Sequence, residues 1–198
     1  MPDPTRVDFY FDSLCPWAFR TSLWIRDVAA ERPIEITWKP YSLAIVNNAE
    51  PDSERARKSF LLGRTLIAAG RAEGNAAVDR LYQEFGDAIH VRKLDPLQPE
   101  VVSDALSSAG LPTDLADSAM ADDSTDAAFR ASHAEGQAIG AFGVPTLVLD
   151  GSDMGVFGPV IDPVPSGEDA LKLWDVTVWT HRQPYLWEFK RDRQHRRP

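Results

Sequence analysis

Cysteine occurs once in the 198 residues, at Cys15, so the chain has no intramolecular disulfide framework. The four histidines are scattered and form no ligand cluster with that cysteine, so no metal is expected. No apolar run approaches the roughly 20 residues of a membrane-spanning helix. The opening Met-Pro-Asp-Pro-Thr-Arg lacks a basic segment followed by an apolar one, and the cytoplasm is the expected compartment. A glycine-rich phosphate loop or dinucleotide fingerprint is also missing, which leaves a tightly bound nicotinamide or flavin unsupported. An overall basic field is absent too: the formal net charge of −9 disfavours nonspecific nucleic-acid binding. The exception is the C-terminus, where five basic residues from Lys190 onward face only Asp192, leaving −13 on residues 1–189. That stretch is read as a frayed, solvated end.

What is present is an ordinary globular composition, 43% hydrophobic, enough for a sizeable core in one domain with an insertion. The lone cysteine lies in the stretch Val7–Ile25. Val7, Phe9 and Phe11 alternate with Asp8, Tyr10 and Asp12, the period of a β-strand. After an Asp12-Ser13 turn, Pro16 suits the first position of a helix. Cys15 then falls at the helix N-terminus, where unpaired N–H groups and the dipole favour a thiolate. The bland alternative is a buried, inert cysteine.

The first helix is expected from Pro16 to Ala30, with Trp17, Leu23, Trp24 and Val28 facing the core. Ile34-Glu-Ile-Thr-Trp-Lys39 alternates as a second strand, and a strand–helix–strand unit this short makes the two strands parallel. From Pro51 to about Gly140 the pattern is helical, without heptads or a fixed repeat. Helices are expected from Asp52-Ser53 to Gly70, from Asn75 to Phe85, from Pro99 to Ser108 and from Thr125 to Ile139. Thr146–Leu149 and Met154–Phe157 read as a strand pair about Asp150-Gly151. Ser166-Gly167 opens a last helix carrying Leu171, Leu173, Trp174 and Val178. The order is βαβ, helices, ββα. The expectation is therefore an α/β thioredoxin-like fold, residues 1–50 and 140–198, interrupted by an all-helical insertion at 51–139.

Two distant motifs support each other: Cys15-Pro16-Trp17 after the first strand, and Gly143-Val144-Pro145-Thr146 before the third. With Phe11-Asp12, Thr21-Ser22, Trp24-Ile25, Ser42-Leu43-Ala44-Ile45, Asn47, Ile89-His90, Phe157-Gly158-Pro159, Lys172-Leu173-Trp174-Asp175 and Glu188-Phe189-Lys190-Arg191, the chain resembles the DsbA family. Within that family it is most similar to the mycothiol-dependent nitroreductases of actinobacteria. The resemblance implies a thiol oxidoreductase whose nucleophile is Cys15. Pro16, Trp17, Ala18, Asn47, His90, Val144 and Pro145 would line the thiol and substrate site, with Pro145 in the cis form. It implies mycothiol or another low-molecular-weight thiol as cosubstrate, and mixed disulfides, peroxides or electrophiles such as nitroaromatics as substrates. No nucleic acid or membrane partner is expected, and a homodimer is allowed.

One departure changes the chemistry. The family pattern is Cys-Pro-Trp-Cys, and position 18 here is Ala18. A dithiol enzyme resolves its mixed disulfide with the second cysteine. Ala18 cannot do this, so a monothiol cycle remains, with sulfenic acid and thiol capture as another route. A thiol transferase similar to the kappa class and a non-catalytic binding protein are the alternatives. His90 is either a proton carrier near neutrality or a structural histidine, and Asn47 either lines the site or only makes a turn. His133 and His181 are expected to be structural or exposed, and Trp38, Trp174 and Trp179 to be core.

Overall fold

In strand β1, Thr5–Phe11, alternation puts Val7, Phe9 and Phe11 on one face, each fully buried. Tyr10 is also buried, so both faces of this strand are covered. The computed structural model describes residues 5–188, 190 and 191. The opening residues 1–4, Phe189 and the basic stretch 192–198 lie outside the described residues.

Helix α1 spans Pro16–Glu31 and returns the chain to strand β2, Ile34–Pro40. β1 and β2 pair in parallel, Phe9 opposite Trp38. Strand β3, Thr146–Leu149, runs antiparallel to β1 on its other side, and strand β4, Val156–Phe157, closes the order β2-β1-β3-β4. Between β2 and β3 come helices α2 (Leu43–Val46), α3 (Glu54–Glu73), α4 (Asn75–Gly86), α5 (Pro99–Ser108), α6 (Leu115–Ala121) and α7 (Asp123–Ala138). Helix α8, Gly167–His181, follows the sheet. The fold is thioredoxin-like, with helices alone between its βαβ and ββα halves. Among the described residues no helix is long and apolar enough to cross a membrane.

Aromatic packing joins the layers. Tyr82 of α4 stacks on Phe11 with ring centroids 3.7 Å apart, and Phe9 meets Trp38 at 4.9 Å. Arg26 clamps α1 to α4: its guanidinium pairs with Asp79 at 2.7 Å and lies 4.3 Å over the Trp38 ring. On the opposite face α7 comes close because Gly136 has no side chain; a Cβ there would stand 2.9 Å from the Tyr41 ring and 3.0 Å from Tyr10. Trp24 donates its indole N–H to the Ala170 carbonyl at 3.0 Å, holding α8 to α1. His181 continues that anchor, its Nε2 3.0 Å from the Leu147 carbonyl of β3.

Several boundaries differ from the sequence expectation. β4 begins at Val156 rather than Met154, because the Gly155 N–H donates to the Ile139 carbonyl at 2.8 Å and so leaves the ladder. Helix α6 was not anticipated. Its carbonyl end is closed by buried Arg64 of α3, which donates to Ala119, Met120 and Asp122 carbonyls at 2.9–3.1 Å and to Thr125 Oγ1 at 2.9 Å. Trp179 is not core: it is 49% exposed on the outer side of α8 beside Val176.

After α4 the chain makes a π-helical turn, Asp87–Val91, with Arg92 N–H donating to the Asp87 carbonyl five residues back. Such turns widen a helix locally and re-aim its side chains. Here the turn carries His90, whose ring stacks on Phe19 of α1 at 5.4 Å. Gly86 lets Phe19 into that position; a Cβ on Gly86 would stand 2.0 Å from the Phe19 ring, which must then move. Gly86→Ala should therefore cost about 1–3 kcal/mol, the usual range for overpacking, read as a lower urea midpoint with an unchanged slope.

Candidate active site

Cys15 occupies the N-cap of α1 with extended backbone angles, and Pro16 takes the first helical position, where its missing N–H is no loss. Cys15 as a whole is 5% exposed. Cys15 makes no side-chain capping hydrogen bond, yet the nearby backbone N–H groups of Ala18 and Trp17 favour the thiolate, as does the positive charge of Arg55. Burial acts the other way and is the largest effect, with the Asp12 carboxylate adding to it, so the thiol is pushed above its ordinary 9.0. The thiolate expected from the helix terminus is thus opposed by desolvation of an almost enclosed cysteine, which raises the thiol pKa against the two N–H groups.

The β3 side completes the sulfur's surroundings. The peptide bond Val144–Pro145 is cis, and the Val144 carbonyl accepts a hydrogen bond from Cys15 Sγ at 3.6 Å. That carbonyl is therefore engaged by Cys15 in this structure. Ala18 is fully buried. Pro16 is exposed and Trp17 half-buried, with Arg20 lying 5.2 Å over the Trp17 ring.

Asp12 holds the turn in place, a role its reading as a simple turn residue missed. Its buried carboxylate accepts N–H groups from Leu14 at 2.8 Å and Leu43 at 2.7 Å, and its carbonyl accepts from the Cys15 N–H at 2.9 Å. Burial raises its pKa, opposed by those two N–H groups and by Arg55. The Asx pattern, an aspartate two residues before a turn N–H, was the available signal. The Leu43 bond joins residues 31 apart and left none.

His90 reaches the same turn. Its Nε2 lies 2.8 Å from the Ser13 carbonyl; since a carbonyl can only accept, Nε2 carries the proton. Burial, then Lys93 and Arg20, lower its pKa against the pull of that bond, and the ring is neutral near pH 7. Asn47 is exposed, and its side-chain amide donates to the Leu43 carbonyl at 2.6 Å, capping α2. His133 is structural: it accepts the Ser42 N–H at 3.4 Å and packs on Tyr41 at 4.2 Å.

With this geometry in view, the sequence profile of the Rv2466c-like mycothiol-dependent nitroreductases matches residues 14–191, a span that includes Cys15, His90 and Pro145. The chain belongs to that family. It is also 36% identical over 190 residues to the uncharacterized protein Rv2286c of Mycobacterium tuberculosis, covering 94% of this chain and 82% of that protein. Solved structures share the fold at low identity. A putative protein disulfide isomerase from Nitrosomonas europaea superposes with a TM-score of 0.63 at 14% identity, covering 90% of this chain and all of that one. A probable DsbA oxidoreductase from Streptomyces coelicolor gives 0.63 at 18% identity, covering 92% and 93%.

For this member of the nitroreductase family the site contains one sulfur, and its burial works against ionisation. A thiol harder to ionise in the folded chain than in the unfolded one contributes stability that is full below the unfolded pKa and is lost as pH rises through the folded one. The same shift controls reactivity. Alkylation of Cys15 by iodoacetamide, followed by mass spectrometry, should be slower than that of free cysteine at pH 7 and still climbing at pH 9. A plateau below pH 8 would mean that the helix terminus outweighs burial after all.

Proposed function

We propose that this protein is a monothiol oxidoreductase that works through Cys15 with mycothiol or a similar low-molecular-weight thiol in a reducing compartment. The observation behind this reading is the sulfur's place at the N-cap of α1, hydrogen-bonded to the Val144 carbonyl beside the cis Val144–Pro145 peptide, in a chain with no other cysteine. Membership of a family described as mycothiol-dependent supports the choice of thiol.

In the first step the Cys15 thiolate attacks one sulfur of a disulfide R–S–S–R′. A Cys15–S–S–R bond forms, the S–S bond of the substrate breaks, and R′S⁻ leaves and takes a proton. In the second step a small thiol gives up its proton and attacks the R sulfur, forming a new disulfide and returning the Cys15 thiolate. One thiol enters and one leaves. For a nitroaromatic acceptor, two thiols give two electrons and two protons; they become one disulfide while the nitro group becomes nitroso and releases water.

The position of the thiol pKa sets the preferred direction. A DsbA-type oxidant is driven by stabilisation of its reduced thiolate. Here burial stabilises the thiol instead, so Cys15 has no comparable drive to hand its disulfide to a protein. Reduction or exchange at the expense of a small thiol is the direction that fits. Pro16, Trp17, Val144 and Pro145 then form the rim where the incoming thiol is held, its sulfur displacing the Cys15–Val144 bond. His90 positions the turn through Ser13, and Asn47 shapes it through α2 and Leu43.

Incubation with oxidised mycothiol and, separately, oxidised glutathione should give one adduct by intact mass, on Cys15, larger with the mycothiol disulfide and released by the matching thiol. Cys15→Ser should lose the adduct and at least about a thousandfold in turnover, the scale for removing a covalent nucleophile. Conjugation retained by Cys15→Ser would instead indicate a thiol transferase, and no wild-type adduct would indicate a binding protein.

A further inference from the structure

Phe142 is 70% exposed although it is carried by the segment that reaches the sulfur. It lies two residues before Val144, whose carbonyl bonds Cys15 Sγ; two residues span at most about 7 Å of backbone. The ring is not loose over the surface. It stacks on Phe157 with centroids 5.1 Å apart and planes at 30°.

Phe157 is itself fixed. It pairs with Thr146 across β3 and β4, and the next residue, Gly158, donates its N–H to the Pro145 carbonyl at 2.8 Å. The loop under the rings is held as well, because Thr146 Oγ1 donates to the Gly143 carbonyl at 2.8 Å. Gly143 lies against the Phe157 ring, where even a Cβ would stand at 3.2 Å. The result is a two-ring shelf, backed by strand β4, on the segment that touches the reactive sulfur. One face of the shelf is open: the outer ring is Phe142, and its exposure shows that none of the described residues covers it.

We propose that the Phe142–Phe157 stack is the specificity subsite for the acceptor, taking a planar aromatic ring attached to the group that reacts at Cys15. This assignment rests on the thiol-exchange reading of Cys15 given above. An aromatic face offers a flat ring an offset stack that a puckered ring of similar size cannot match. A rigid shelf also loses little conformational entropy when it is occupied. Aliphatic acceptors then react through the same sulfur without the benefit of the shelf.

The test uses two mixed disulfides of mycothiol, one with 2-phenylethanethiol and one with 2-cyclohexylethanethiol. Their leaving thiols are alike in acidity and bulk and differ in planarity. The second-order rate of Cys15 adduct formation is followed by intact mass. Wild-type protein should favour the phenyl disulfide about fivefold, within the range of aromatic pairing. Phe142→Ala should erase that preference while changing the cyclohexyl rate less than about twofold, since the lost contact is specific to a flat ring. Phe142→Tyr should keep the preference. Equal rates in the wild type, or a preference that survives in Phe142→Ala, would overturn the shelf and leave the exchange mechanism standing. No adduct from either disulfide on wild-type Cys15 would overturn the exchange mechanism, and the shelf's role with it.

Discussion

The carboxylate of Asp12 accepts from Leu14 on one side and Leu43 on the other, while its own carbonyl takes the Cys15 N–H. These bonds fix the turn between β1 and α1 relative to the start of the helical segment, and so decide where the sulfur sits. Removing the carboxylate would orphan two N–H groups beside a buried side chain, a cost larger than the bonds themselves contribute. The other supports are arranged around this point. His90 holds the Ser13 carbonyl, the π-helical turn and Phe19 hold His90, and Gly86 leaves room for Phe19. On the far side, Thr21 of α1 donates to the Pro159 carbonyl at 2.7 Å, and Arg20 pairs with Asp162 at 3.0 Å. The sulfur thus lies at a junction between β1, the helical segment and the Val144–Pro145 segment before β3. Helix α1 is tied further along to the segment that follows β4.

Two opposed forces meet at that junction. A helix N-terminus draws out the thiolate, and enclosure suppresses it. In dithiol relatives of the thioredoxin fold the first force is what makes a strong oxidant. Here burial is the larger influence on Cys15, and the chain lacks the partner sulfur that an oxidant would use. Both features fit the proposed exchange with a thiol from solution.

Much of this was legible in the sequence because it was periodic. Val7, Phe9 and Phe11 fixed the strand and its buried face, Pro16 marked the helix start, and the order of elements implied the parallel β1–β2 pair that forms. What was not legible depends on contacts distant in the chain. The burial of Cys15 follows from Val144, 129 residues away, and no local pattern shows that a helix N-terminus will be covered. The role of Asp12 depends on Leu43, and the closure of α6 on Arg64. Trp179 was assigned to the core on its chemistry alone, whereas a helix face is decided by what packs against it. β4 was shortened by a single N–H that turns to Ile139.

The bond between Cys15 and the Val144 carbonyl has a consequence for the protein's durability. Susceptibility of a thiol to peroxide follows its thiolate character and its exposure, and at rest Cys15 has little of either. A site with one sulfur has no neighbour to rescue a sulfenic acid before it is oxidised further. Enclosure shields that sulfur, so under the proposed mechanism the route through sulfenic acid is the disfavoured one. The burial that would slow Cys15 as a nucleophile would then also guard it against irreversible oxidation.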